Sequence, residues 1–265
     1  WSRPKTYPVL IQEIKKLAYE DVVKCSRDFG KVSHTRIGVV GNLSADEFKS
    51  LWAKTNLKHP SLSIYERVPS PVAPANVDVT PITVVMSDKT NASVTGTTVV
   101  PLSFKSDDFP ALQLAVYVMG GNSSSLIWQQ LRETEGLAYS SGMKVSASSF
   151  EDRSTIQLYA TSSSSNAGKV IDSLKSLLLK VISDGFSSEQ VEKAKSAWMQ
   201  KRKSTLGDES EFVSTLVDSL YNGHDFEAIA QFDEKIKGVS HLQATAAIRK
   251  YVDQSKLLWS VGKGN

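Results

Sequence analysis

The sequence has few of the features that identify common classes of protein. Its single cysteine, Cys25, cannot form a disulfide within the chain, and its position in a predicted amphipathic helix between Val22 and Phe29 predicts a buried thiol. No apolar run reaches the roughly 18 residues of a membrane-spanning helix. The 31 basic and 28 acidic residues leave a formal net charge of +3, which gives no strong field for nucleic acid. We therefore expect neither membrane insertion nor a nucleic-acid partner.

Residues for metal binding and for covalent catalysis are also scarce. Zinc peptidases need two histidines on one helical face with a carboxylate beside them, and no histidine here has a second histidine or cysteine at helical spacing. The histidines are His34, His59, His224 and His241. No G-x-S-x-G motif marks a nucleophilic serine. We expect no metal site and no catalytic nucleophile in this chain, and we interpret each histidine as a surface or half-buried side chain.

Length and composition are those of a globular protein. The 265 residues, 40% of them hydrophobic and 22% charged, are enough for a full core in one large or two smaller domains. The chain starts at Trp1 instead of methionine and has no hydrophobic leader. We therefore expect a processed product or a piece of a longer polypeptide.

Local patterns predict strands followed mostly by helices. The β-branched segments 82–86 and 97–104 predict strands, and so does the alternation of Ile156, Leu158 and Ala160 with polar neighbours. Apolar spacing and capping residues predict helices at 109–119, 123–135, 166–184, 188–205, 209–221, 226–236 and 240–251. With a closing strand, this order indicates an α+β fold in which helices pack on one face of an antiparallel-rich sheet.

A segment near the start of the chain has a counterpart near its end. An offset of 222 residues pairs Arg27 with Arg249 and Val39 with Val261. Both copies read as a helix, an arginine two residues before an aromatic residue, a polar turn and a strand, which is expected at 36–40 in the first copy. This order indicates duplicated units of about 200 residues. Residues 1–44 would then be the tail of a unit whose beginning lies outside the sequence.

The segment after this tail has the character of a connection. Ser44 and Glu47 have the spacing of a capping box, which predicts a short helix to about Lys54. Residues 60–81 then carry five prolines and no periodicity, as is typical of a linker. We predict three parts: a helix-and-strand tail at 1–44, a helix and proline-rich linker at 45–80, and a complete α+β unit at 81–265.

The residues best suited to chemistry stand between a predicted helix and a predicted strand, in the sequence Leu-Arg-Glu-Thr-Glu-Gly-Leu-Ala-Tyr over 131–139. Arg132 closes the helix, Gly136 breaks it and Tyr139 opens the strand. The guanidinium and the phenol would be two hydrogen-bond donors on rigid elements. Structural roles explain both residues as well, because arginine stabilises a helix C-terminus and tyrosine is common in strands.

Together with the preceding Gly-Gly-x-Ser-Ser-Ser-Leu helix start and the later Gly185-Phe186-Ser187, this segment resembles the C-terminal half of pitrilysin-type zinc metallopeptidases. That family includes insulin-degrading enzyme and the mitochondrial processing peptidase. The resemblance covers residues 80–265, and residues 1–44 resemble the end of the preceding unit in the same repeat.

The resemblance implies two halves, each made of two related α+β units, that enclose a chamber where peptides are cut. Zinc and its glutamate base belong to the N-terminal half in such enzymes. The C-terminal half contributes an arginine and a tyrosine that reach the substrate near the metal, and these correspond to Arg132 and Tyr139. The counterpart of the zinc helix is 109–119, which holds no histidine and no glutamate. This chain therefore resembles the noncatalytic half.

On this reading the chain has no cofactor of its own and closes over a peptide substrate against a zinc-bearing half. That half would be on the same polypeptide or on a separate subunit. The family resemblance alone also leads us to expect a bacterial periplasmic protein. Two alternatives stay open: a structural member of the same fold with no role in proteolysis, like the core subunits of respiratory complexes, and a free-standing module that binds peptides at a sheet edge.

Overall fold

The computed structural model describes residues 6–29, 35–55, 67–70 and 78–264. Its α-helices are α1 (Tyr7–Ile14), α2 (Tyr19–Phe29), α3 (Ala45–Ala53), α4 (Phe109–Gly120), α5 (Leu126–Trp128), α6 (Ala167–Asp184), α7 (Ser188–Gly207), α8 (Glu209–Tyr221), α9 (Phe226–Gly238) and α10 (His241–Tyr251). Its strands are β1 (Ile82–Val85), β2 (Asn91–Val100), β3 (Ala138–Ala147), β4 (Ser154–Ser163) and β5 (Leu258–Lys263).

Contacts divide the chain into two units. The first unit comprises residues 1–72 and 208–221, and therefore α1, α2, α3 and α8. The second unit comprises residues 73–207 and 222–265, which include every strand of the described residues. The predicted boundaries at 44 and 80 remain a prediction.

The sheet lies at the centre of the second unit. Its strand order is β1-β5-β2-β4-β3, and β1 pairs in parallel with β5 while the other neighbours pair antiparallel. Alternate residues of β4 are buried, as predicted, among them Ile156, Leu158 and Ala160. On the helical side, α6 contacts β2 and β4, α4 contacts β3, and α7, α9 and α10 pack on α4. The predicted α+β fold with an antiparallel-rich sheet is confirmed.

Helix α4 approaches the sheet closely at β3. A Cβ at Gly120 would lie 1.9 Å from the backbone nitrogen of Met143, and one at Gly121 would lie 2.2 Å from the ring of Tyr117. Gly121 has φ −80°, a conformation that any residue adopts. The two glycines therefore permit close packing at the end of α4. The helix ends there without a residue in the left-handed conformation.

Two predictions in the first unit are wrong. Cys25 is exposed, because no other part of the described chain covers its side of α2. Residues 35–40 form no strand, since a strand needs a partner for its backbone groups and no described strand pairs with them. The predicted helix after Ser44 is confirmed as α3, with both hydrogen bonds of the Ser44–Glu47 capping box.

The connection between the units is only partly described. Most of the predicted proline-rich linker falls at 56–66 and 71–77, outside the described residues. β1 starts at Ile82 as expected, but β2 begins at Asn91, earlier than predicted, and ends at Val100. Except for buried Thr98, its polar residues lie on the more exposed face and alternate with buried Ala92 and Val94, so pairing with β4 and β5 extends the strand.

No helix in the described ranges is both long enough and apolar enough to cross a membrane.

Candidate functional site

The candidate donors stand at a corner between a helix and β3, residues 129–140, here called the donor corner. Helix α5 continues directly into a π-helix, Gln129–Thr134. Its hydrogen bonds join residues five positions apart, as in the 3.0 Å bond from the Glu135 backbone amide to the Gln130 carbonyl oxygen. Buried Leu131 anchors this turn in the core. Such π-turns inside helices occur frequently at functional sites.

The helix ends where it was predicted to end. Gly136 has φ +63°, in the left-handed region that favours glycine, and open space surrounds the position of its missing Cβ. The Leu137 backbone amide donates to the Leu131 carbonyl oxygen at 2.8 Å, and the side-chain Nε2 of Gln130 donates to the Glu135 carboxylate at 2.7 Å. These bonds hold the turn, so the donors on either side of it have fixed backbones.

Arg132 lies on the exposed side of the π-helix. Its Nη1 donates to the carbonyl oxygen of Ala138 at 3.4 Å, which is a long and weak hydrogen bond. This contact places the guanidinium at the start of β3, beside the residue that precedes Tyr139. No described carboxylate forms an ion pair with Arg132. The guanidinium therefore keeps most of its five donor hydrogens for another group.

Tyr139 lies in a β-bulge. Ala138 pairs with Ser162 and Ser140 pairs with Thr161, so Tyr139 is an extra residue on the β3 side. Ala138 and Ser141 are buried on either side of the bulge, whereas Tyr139 is 57% exposed. The bulge thus keeps the strand anchored while it turns the phenol toward solvent. Bulges are over-represented next to active sites because they redirect a side chain in this way.

Two grooves border the corner without enclosing its donors. One, about 730 Å³, lies between Gln130, Glu135 and Leu137 on one side and α6 on the other. The second, about 640 Å³, lies between residues 117–129 and the first half of α7. Neither groove is lined by Arg132 or Tyr139. Both donors face outward, so a site that used them would need a second surface to close it.

The structure places the other candidate residues away from this corner. His34 and His59 lie outside the described residues. His224 packs on the Phe104 ring, with 4.3 Å between ring centroids, and its Nε2 is 3.0 Å from the Ser149 hydroxyl. Burial lowers the pKa of His224, and the charge of Lys105 lowers it further. This histidine is a packed, mostly neutral side chain near neutral pH.

Helix α4, which the family resemblance leads us to expect as the counterpart of a zinc helix, is almost entirely buried and holds no histidine or carboxylate. Within the described ranges, no cluster of three or more His, Cys, Asp or Glu side chains could hold a metal ion.

Sequence reasoning found the two donors but missed what orients them. The Gln130–Glu135 hydrogen bond joins residues five positions apart, and side chains at that spacing are not neighbours on a regular α-helix. The bulge at Tyr139 depends on register with β4 and leaves no mark in the local pattern. The one available signal was Gly136 between a helical and a strand-forming segment.

The chain matches a known family and several solved structures. The sequence profile described as the peptidase M16 inactive domain matches residues 16–197. No curated protein matches the chain significantly. A protease from Helicobacter pylori is 17% identical, with a TM-score of 0.77 over 96% of this chain and 60% of that one.

Two further structures share the fold. The peptidase M16 inactive domain from Pseudomonas fluorescens is 14% identical, with a TM-score of 0.75 over 96% of this chain and 59% of that one. A chain of complex III2 from Candida albicans is 15% identical, with a TM-score of 0.70 over 96% and 60%. At these identities the likeness shows the fold alone, and the chain spans about 60% of the length of these structures.

Proposed function

The chain belongs to the peptidase M16 inactive-domain family, and on that basis we propose that it is the noncatalytic C-terminal half of a zinc metallopeptidase. In this proposal the zinc site and its glutamate base belong to an N-terminal half, on the same polypeptide or on a separate subunit. The present chain closes over the peptide substrate and donates hydrogen bonds to it from Arg132 and Tyr139.

The observation that carries the proposal is the outward orientation of two donors on rigid backbone. The bulge turns the Tyr139 phenol to solvent, and Arg132 has no carboxylate partner among the described residues. A purely structural arginine and tyrosine would gain more from an ion pair and from burial. Donors that face outward are suited to a group supplied by another surface.

The chemistry of peptide hydrolysis would use such donors. Zinc bound in the N-terminal half would polarise the scissile carbonyl and activate a water molecule. The guanidinium and the phenol of this chain would hold the negative charge that develops on the carbonyl oxygen. A preorganised donor at such an oxygen is worth about 3 kcal/mol, or 10² to 10³ in rate.

Assembly with the zinc-bearing half tests this role. Arg132→Ala and Tyr139→Phe should each lower kcat/KM for peptide hydrolysis by about 100-fold while the zinc content of the assembly stays unchanged. Glu133→Ala and Ser140→Ala are matched controls, because both residues are exposed neighbours of the donors. The controls should change kcat/KM by less than about twofold.

The isolated chain provides a second check. It should bind no stoichiometric zinc and cleave no peptide, because α4 supplies no ligand and no general base. Tight zinc binding with proteolysis by the isolated chain would refute the noncatalytic assignment.

A structural or peptide-binding member of the same fold is the second candidate. The likeness to a chain of complex III2 favours it, since that protein shares the fold at a TM-score of 0.70. Full activity of both donor variants in the assembled protein would support this alternative. Peptide binding by the isolated chain, lost when the β3 edge is blocked, would support a free-standing module.

A periplasmic site of action, expected from the family resemblance, remains a prediction. Fractionation of cells that express the full polypeptide would test it, with recovery in the cytoplasmic fraction as the contrary result.

A further inference from the structure

The face of the sheet turned away from the helices carries a tyrosine at its centre. Tyr159 of β4 stands between Leu158 and Ala160, which are buried on the helical side, so its side chain points to the opposite face. The strand pairing places Tyr159 in one row with residues of three other strands: Gly142, Thr95 and Ser260. The side chains of this row are only half-buried. We call this side of the sheet the open face.

Gly142 makes room for the Tyr159 ring. A Cβ at Gly142 would lie 2.6 Å from the Tyr159 hydroxyl oxygen and 2.8 Å from the ring carbon that carries it. It would also lie 2.6 Å from the carbonyl oxygen of Gly120. The ring therefore reaches from β4 over the backbone of β3, which is the last described strand on that side of the sheet. A glycine inside a strand marks such close approaches.

The Tyr159 hydroxyl has no partner within the described chain. It makes no hydrogen bond with a described residue, and the protein does not enclose it. The half-buried Tyr251 differs, because its hydroxyl donates to the carboxylate of Asp108 at 2.7 Å. A tyrosine hydroxyl that packs inside a protein usually finds such a partner. The Tyr159 hydroxyl is thus a positioned donor that is open to a ligand.

The phenol lies along the same strand as the donor corner. Arg132 contacts the start of β3 through the Ala138 carbonyl oxygen, and Tyr139 follows in the bulge. Gly142 comes three residues after Tyr139, which is roughly 10 Å along an extended strand. A peptide that lies along the edge of β3 with one carbonyl at the donor corner therefore reaches the Tyr159 phenol after about three residues.

Charges on the open face indicate which side chain fits there. The row of Tyr159 is uncharged, and so is the next row toward the donor corner: Ser140, Thr161, Ser93 and Gly262. On the other side of Gly142, Lys144 is exposed and disfavours a second cation nearby. An uncharged ring also gives no ion pair to offset the desolvation of a carboxylate. An aromatic or large aliphatic side chain suits this position best.

We infer that Tyr159 is a specificity-determining residue for the peptide substrate. It binds the substrate residue that stands about three positions from the cleaved bond. The hydroxyl donates to a backbone carbonyl oxygen of the peptide, and the ring packs against an aromatic or large aliphatic side chain. This inference rests on the proposed function for the presence of a peptide at the donor corner.

Steady-state kinetics of the assembly with the zinc-bearing half test the hydroxyl. Tyr159→Phe should raise KM about 5-fold and leave kcat unchanged, because a bond to a carbonyl remote from the cleaved bond is equally strong in the ground state and the transition state. Ser260→Ala is the matched control, since Ser260 lies in the same row two strands away. It should change KM by less than about twofold. An unchanged KM, or a loss confined to kcat, in Tyr159→Phe would overturn the inference.

A peptide series tests the ring. One substrate sequence is varied at each position within five residues of the cleaved bond, with Ala, Phe, Lys or Glu. The wild-type assembly should prefer Phe to Ala about 5-fold in kcat/KM at one position, about three residues from the bond. Tyr159→Ala should abolish this preference, and Tyr159→Phe should retain it. A preference for Lys or Glu there, or a Phe preference that persists in Tyr159→Ala, contradicts the role of the ring.

A binding measurement separates substrate contact from folding and from chemistry. Tyr159→Phe keeps the ring and its packing, so it carries the test if Tyr159→Ala unfolds. Fluorescence anisotropy with the zinc-free assembly and the labelled Phe-containing peptide should give a Kd about 5-fold higher for Tyr159→Phe than for wild type. Equal Kd values would overturn the inference without any use of the catalytic reaction.

The two proposals fail in different ways. If Tyr159→Phe binds and cleaves peptide as wild type does while Arg132→Ala and Tyr139→Phe lose kcat, the specificity role is wrong and the donor role stands. If Tyr159→Phe raises KM and Kd while both donor variants remain fully active, the open face binds the peptide and the donor role is wrong.

Discussion

Two elements of the chain share a local sequence pattern but differ in structure. The first element is α2 with residues 35–40, and the second is α10 with β5. Both have a helix of the same length with equivalent N-terminal bonds. Only the second has a strand, because only there do neighbouring strands accept and donate backbone hydrogen bonds. Helical structure follows from nearby residues, whereas a strand and a buried side chain depend on distant ones.

The largest difference between the two elements should appear at their strands. Trp259→Ala removes a buried ring from the core and should lower the free energy of unfolding by about 3 to 5 kcal/mol. Ile37→Ala, at the equivalent position of the first element, should change it by less than about 0.5 kcal/mol. Urea denaturation of the isolated chain measures both values. Equal losses would show that residues 35–40 are already packed in a core.

The second largest difference in unfolding free energy is expected between substitutions of Arg249 and Arg27. Arg249→Ala removes two charge-assisted bonds to the end of α6 and should cost about 1 to 2 kcal/mol. Arg27→Ala should be neutral within about 0.5 kcal/mol in the isolated chain, because Arg27 is exposed and makes no hydrogen bond or ion pair with any described residue. Denaturation of the two variants side by side is the check, and a loss at Arg27 comparable to that at Arg249 would contradict the comparison.

Substitutions at the N-caps of the two helices should change stability by a smaller amount. Ser240→Ala removes the hydroxyl that accepts from the Gln243 amide and should cost about 1 kcal/mol. Ala18 has no such hydroxyl, so Ala18→Ser should slow amide exchange in the first turn of α2. An Ala18→Ser variant with unchanged exchange would mean that the first helix is capped in a different way.

The smallest expected difference in stability comes from a carboxylate and therefore depends on pH. The carboxylate of Asp108 accepts from Lys250 and from the Tyr251 hydroxyl, each at 2.7 Å, and these bonds hold the pKa of Asp108 below its ordinary value. Phe29 stands at the position of Tyr251 in the first element, so Tyr251→Phe makes the second element like the first. The Asp108 side chain is 47% exposed. Loss of the bond should therefore cost less than about 1 kcal/mol at pH 7.

The sign of the pH dependence follows from the lowered pKa. A carboxyl group with a depressed folded-state pKa contributes stability above its unfolded pKa of about 3.9 and loses it as the pH falls through the folded value. The difference in unfolding free energy between wild type and Tyr251→Phe should thus shrink below about pH 4. A constant difference from pH 7 to pH 3 would rule out the Asp108 bond as its cause.

Much of the second unit could be predicted from local pattern. The alternation along β4 and the helical pattern at 240–251 identified β4 and α10, and the capping box at Ser44 identified α3 in the first unit. The strand at 36–40 and the burial of Cys25 were predicted wrongly for one reason. Each required a neighbouring surface that the described chain does not supply.

The candidate site was only partly visible in the sequence. Arg132, Gly136 and Tyr139 stand out because each has a clear local role at a helix-to-strand corner. The π-helix before Gly136 and the bulge at Tyr139 arise from packing of Leu131 and from register with β4. These non-local features decide that the donors face outward, and no local pattern encodes them.

The most direct test of the donor role is kcat/KM of the assembled protein that carries Arg132→Ala and Tyr139→Phe together. The account predicts a loss of at least about 100-fold. Zinc content and the affinity between the halves should stay at wild-type values. Activity within about twofold of wild type, in an assembly with full zinc, would contradict it.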